Sequence, residues 1–178
     1  MQGRVDGDDG RLVAIKVFSS CEDSVAASKA EASIYSHLQD LQGVVIPTCL
    51  GTGQVPLTGT GLLLMSLVVG RPLSSLSIDC LDARTRKEVG EAAMQSLTLI
   101  HKRGVAHGDI RLANILYLDK KESRSLKGED LDSTISPIVA TPSRIMILDF
   151  GRSFLAGKKT LQVEMQQLDS LLSSWIKL

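Results

Sequence analysis

His107-Gly108-Asp109-Ile110-Arg111-Leu112-Ala113-Asn114 (HGDIRLAN) runs straight into the short apolar segment Ile115–Leu118. The spacing predicts a polar loop followed by a short strand. Upstream, Asp82–Arg103 reads as a helix. Val89, Ala93, Leu97 and Ile100 form its apolar stripe, Asp82 can cap its start and Gly104 can end it. His101, Lys102 and Arg103 suit the negative end of that helix's dipole. Downstream, Asp119–Ser143 is polar and turn-rich, as expected of a mobile insertion. Arg144–Phe150 then returns as a short strand that ends in Leu148-Asp149-Phe150-Gly151.

The N-terminal half has a different texture. Arg11–Phe18 (RLVAIKVF) is a β-branched-rich strand after a turn of Asp and Gly. Alternation sets Leu12, Ala14, Lys16 and Phe18 on one face and Val13, Ile15 and Val17 on the other. A lysine on an apolar face needs a partner or a ligand. Ser20–Gln42 reads as a helix stopped by Gly43, with Ala27, Ile34, Leu38 and Leu41 on one face. Glu31 falls on that same face, where a carboxylate is costly unless paired. The nearest motivated partner is Lys16. Thr48–Val55 and Gly61–Val69 are two further strands, and Gly70-Arg71-Pro72 breaks the pattern as a hinge would. A final amphipathic helix carries Leu161, Met165, Leu168, Leu172 and Trp175.

Composition narrows the function classes. Hydrophobic residues at 43% and charged residues at 22% support a buried core over 178 residues. Lys+Arg and Asp+Glu are both 20, which argues against a polyanion binder, and 3% aromatics argue against a base-stacking surface. Cys21, Cys49 and Cys80 are widely spaced, with no zinc or disulfide pattern, which suits a reducing, cytoplasmic setting. The apolar run Leu62–Val69 is too short to cross a bilayer. No nucleic-acid or membrane partner is expected.

Taken in order, Val13-Ala14-Ile15-Lys16, Glu31, HGDIRLAN and Leu148–Gly151 resemble the motif set of the protein-kinase superfamily. Each piece alone is commonplace; their order and local setting are not. The resemblance covers roughly Gly3 to Gly151. It implies a two-lobed α+β kinase-like fold: residues 1–69 as a sheet with one helix, and 70–178 as a reduced helical lobe. It also implies ATP- and Mg²⁺-dependent transfer of a phosphoryl group to a hydroxyl, in the manner of a divergent Ser/Thr protein kinase. In that resemblance Lys16 holds the α- and β-phosphates and Glu31 orients Lys16. Asp109 receives or orients the acceptor proton, Arg111 neutralises the transferring phosphate, and Asn114 and Asp149 bind Mg²⁺. Val5 and Ala14 would cover the adenine, Leu116 would lie beneath it and Met65 behind it. Backbone groups of Ser66 to Val68 would meet the adenine edge.

The chain also departs from the family pattern. Gly3-Arg4-Val5 looks like only the end of the glycine-rich loop. Gly108 stands where many protein kinases have the Arg that pairs with a phosphorylated activation loop, so that mode of regulation is not expected. Only residues 152–178 follow Gly151, without an Ala-Pro-Glu motif or the usual peptide platform. HGDIR…N followed by DFGR looks like small divergent kinases, including fungal kinase-like proteins and atypical families. Small-molecule kinases with an HGD…N…D core are a more distant likeness. Two further readings follow: a weak or inactive kinase-like binding module, and a piece of a longer enzyme.

Overall fold

β-Branched and leucine-rich runs separated by Gly- and Pro-containing turns build the first sheet. The computed structural model describes residues 2–4, 12–76, 81–118 and 145–177. Val5, Cys80 and the 119–143 segment lie outside them. Strands β1 (Gln2–Arg4), β2 (Leu12–Val17), β3 (Cys49–Gln54) and β4 (Gly61–Ser66) form an antiparallel sheet in the order β1-β2-β4-β3. The β2–β4 register sets Lys16 opposite Leu63 and Ala14 opposite Met65. Leu63 is fully buried beneath helix α1 (Glu22–His37), which packs on β4.

Helix α1 is shorter than the periodicity predicts. Gln42 explains its end: the side chain donates to Tyr35 O at 2.7 Å and accepts from Cys49 N at 2.8 Å. Those bonds turn the chain out of the helix through a short 3₁₀ turn, Gln39–Leu41. Ile34, Leu38, Leu41 and Glu31 are buried as expected, whereas Ala27 is exposed.

The second part is mainly helical. Strand β5 (Arg71–Pro72) leads to α2 (Ala83–His101), then β6 (Val105–Ala106), β7 (Ile115–Tyr117), β8 (Ile145–Ile147), β9 (Phe154–Leu155) and α3 (Lys158–Lys177). The described chain is thus a mixed α+β structure of small antiparallel sheets and three α-helices. Asp82 caps α2 by accepting from Thr85 N at 2.6 Å. The whole Val89–Ala93–Leu97–Ile100 stripe is buried, against α3 and β8.

The break in the pattern at Gly70-Arg71-Pro72 holds a short strand. Arg71 and Pro72 pair with Tyr117 and Leu116 as the edge of a three-stranded sheet, where proline's missing N–H is tolerated. A Cβ at Gly70 would lie 2.8 Å from Tyr117 O, so glycine there permits close strand approach.

One hydrophobic core joins both parts. It includes Ile34 and Leu38 of α1, Leu63, Leu97, Ile147, Phe150 and Leu168. Backbone bonds reinforce the join, with Ile147 N donating to Val45 O at 2.8 Å. Arg103, expected as a simple helix-terminal charge, pairs with Asp40, and its carbonyl meets His37 Nε2 at 2.8 Å. No helix among the described residues is long and apolar enough to cross a membrane.

Candidate active site

Strand β2 and helix α1 bring the first pair together. Lys16 Nζ donates to Glu31 Oε2 at 2.7 Å and to Asp149 Oδ1 at 2.7 Å. One ammonium therefore bridges the sheet, the helix and the segment after β8. Burial acts to lower the Lys16 pKa, but the bonds to Asp149 and Glu31 outweigh it and the net shift is upward. The two carboxylates differ. Burial pushes Glu31 above its ordinary value, only partly countered by Lys16. Burial also acts to raise Asp149, but the Lys16 bond and charge more than offset it, and Asp149 is held low. Glu31 is 2% exposed and Asp149 is open to solvent, which is the physical origin of the contrast.

Asp149 has φ 66°, a conformation rare for any residue but glycine. Such a residue persists when its surroundings over-determine it, and such strain gathers at functional sites. Here the Lys16 bond holds the side chain, while Phe150 is locked into the core.

The HGDIRLAN loop supplies the second cluster. Asn114 Nδ2 donates to Asp109 O at 2.9 Å and to Asp109 Oδ2 at 3.3 Å. That spends the amide nitrogen rather than the oxygen, leaving a hard donor type suited to a divalent cation. Leu148 N donates to Asn114 O at 2.8 Å, tying this loop to the residue before Asp149. Arg111 Nε lies 3.4 Å from Asp109 Oδ2; both ends are solvent-accessible, so the pair contributes little stability.

His107 is fully buried and structural. Its ring lies edge-on to Phe150 at 5.0 Å, and Phe150 meets Tyr35 at 5.4 Å. This column joins α1 to the loop. Asp109 N donates to His107 Nδ1, so Nε2 carries the hydrogen donated to Leu148 O at 2.8 Å. Burial lowers the His107 pKa, consistent with a neutral ring.

A cleft of about 620 Å³ opens beside Lys16. Ala14, Lys16, Met65, Ser66 and Val68, all expected there, line it. Leu116 does not: it is buried in β7, and Leu148 lines the cleft. Val5 falls outside the described residues. Asp109, Arg111 and Asn114 are not part of its lining.

Sequence reading missed Glu164 and His101. Glu164, on α3 and 7% exposed, accepts from His107 N at 2.9 Å and Gly108 N at 2.7 Å, and meets His101 Nε2 at 2.8 Å. Burial acts to raise its pKa, but these bonds win and hold it below the usual value. The signal was present. Glu164 lies one turn before Leu168 on an apolar stripe, the same anomaly that singled out Glu31.

No protein-family model matches the chain. The chain is similar to Meiotic driver SPOK2 of Podospora anserina, at 30% identity over 143 residues. The match covers 76% of this chain and 14% of that protein, so the chain spans only a small part of the relative's length.

Proposed function

We propose that this chain is a compact kinase-like phosphotransferase module. It would bind ATP with Mg²⁺ in the cleft beside Lys16 and transfer the terminal phosphoryl group to a hydroxyl. In this reading the sheet with α1 is one lobe, and the helices with HGDIRLAN are the other. The observation that carries it is the Lys16–Glu31–Asp149 cluster beside the Asp109–Asn114 pair. Phosphoryl transfer depends mostly on positioning and charge neutralisation, and those are the groups it requires.

Lys16 offers a preassembled ammonium to phosphate oxygens, with Glu31 fixing its direction. Asp149 and Asn114 bear oxygen donors for Mg²⁺, which when bound would neutralise charge on the phosphates. Asp109, with its carboxylate oriented by Asn114, would receive or orient the acceptor proton. Arg111 beside it would offset developing negative charge. The acceptor is a protein or small-molecule hydroxyl. The similarity to part of a meiotic driver supports a module that works within a longer protein.

Thermal unfolding with and without Mg²⁺-ATP tests the reading. ATP at about a hundred times its Kd should stabilise the parent by about 2.7 kcal/mol, raising Tm by roughly 5–10 °C. Asp149→Ala should abolish the metal-dependent part. No metal-dependent shift in the parent would overturn the proposal. Binding without ATP turnover, unchanged by Asp109→Ala, would favour the alternative of a nucleotide-binding module that does not transfer phosphate.

A further inference from the structure

Gly108 has φ 77°, and a Cβ built there would lie 2.1 Å from Arg152 O and 2.9 Å from Arg152 C. Both are backbone atoms. No side chain fits at position 108 unless the segment after Asp149 moves away. The same segment is tied down by four further contacts. Ser153 Oγ donates to His107 O at 2.8 Å, and Ser153 N donates to Phe150 O at 3.0 Å, closing the turn Phe150–Ser153 that follows Asp149. Phe154 pairs with Ala106, and Ala156 N donates to Gly104 O at 2.8 Å. From the other side, Glu164 holds the Gly108 N–H.

We propose that Gly108 and Ser153 form a latch that seats residues 151–153 on the HGDIRLAN loop and so fixes the adjoining Asp149. Gly108 provides the space and Ser153 the hydrogen bond, so both are positioning residues.

The functional part of this inference rests on the phosphotransferase reading, but the latch itself is measurable without a nucleotide. Amide hydrogen exchange of the full chain would compare the parent with Gly108→Ala, Ser153→Ala and Ser153→Thr. Gly108→Ala and Ser153→Ala should speed exchange across 151–156 by about tenfold or more, leaving α2 unchanged. Ser153→Thr, which keeps the hydroxyl, should restore parent behaviour. Exchange within about twofold of the parent in both disruptive variants would overturn the latch, as would Ser153→Thr behaving like Ser153→Ala. If Gly108→Ala fails to fold, the two Ser153 variants still decide.

Where the parent binds Mg²⁺-ATP, affinity should fall about tenfold in Ser153→Ala, by loss of preorganisation. Failure of Mg²⁺-ATP binding in the parent, with the exchange result intact, would sink the phosphotransferase reading and leave the latch standing.

Discussion

Glu31 and Glu164 pose the same problem with different outcomes. Both are buried carboxylates on helices, yet burial dominates for Glu31 while hydrogen bonds dominate for Glu164. The difference is the number and type of donors. Glu164 gathers two backbone N–H groups and His101, and hydrogen bonds to the charged form favour it. Its folded pKa lies below the unfolded value, so the carboxylate stabilises the fold above the ordinary glutamate pKa. That contribution is lost as pH falls through the folded value. Glu164→Gln should cost about 1.5–3 kcal/mol at pH 7, measured by urea unfolding. The gap between parent and variant should narrow at acid pH. A gap that widens on acidification would show that charge is not what Glu164 contributes. At this scale Lys16 and Glu31 were legible as charges on apolar faces, whereas Asp109, Asn114 and Asp149 stood out only through the resemblance carried by the ordered motifs. Glu164 was equally anomalous, but its partners are backbone amides on a distant loop, and no side-chain pattern announces those.

At the scale of elements, length decided what could be read. Helix α2 has five turns of consistent periodicity and a capping Asp82, and its buried stripe matches expectation residue for residue. Leu97 is fully buried at its centre, between α3 and the β8 side of the core. Leu97→Ala should cost about 2–5 kcal/mol, read as a lowered urea midpoint with the slope unchanged. A loss below about 1 kcal/mol would mean that the site collapses to fill the space. Strands β5, β6 and β9 have two residues each and carry no periodicity. They exist because a partner strand is held opposite them. At Gly70-Arg71-Pro72 local chemistry shows only a break in the pattern, whereas the neighbouring β7 makes an edge strand of Arg71 and Pro72.

For the whole molecule, the single buried core predicts cooperativity. Leu63 and Leu38 from the sheet-and-helix part share one cluster with Leu97, Leu168 and Trp175. Arg103–Asp40, His37–Arg103 and Ile147–Val45 cross the same junction. Trp175 is the chain's one tryptophan and sits on α3, so its fluorescence reports the helical part, while far-UV circular dichroism reports all elements. The two unfolding curves should coincide. A fluorescence midpoint clearly apart from the dichroism midpoint would show that the two parts unfold separately.

The sequence by itself determined the long elements and picked out the candidate site residues. Periodicity, capping and misplaced charge are local properties, and the chain carries them wherever it folds. The Lys16–Glu31 pair was expected, but tertiary structure alone brought Asp149 to the same ammonium from an element far along the chain. It also decided that Glu164 supports the HGDIRLAN loop, and that Gly108 is small because Arg152 passes over it. Those outcomes depend on distances between backbones brought together by burial of a common core, and no residue spacing along the chain encodes such a distance.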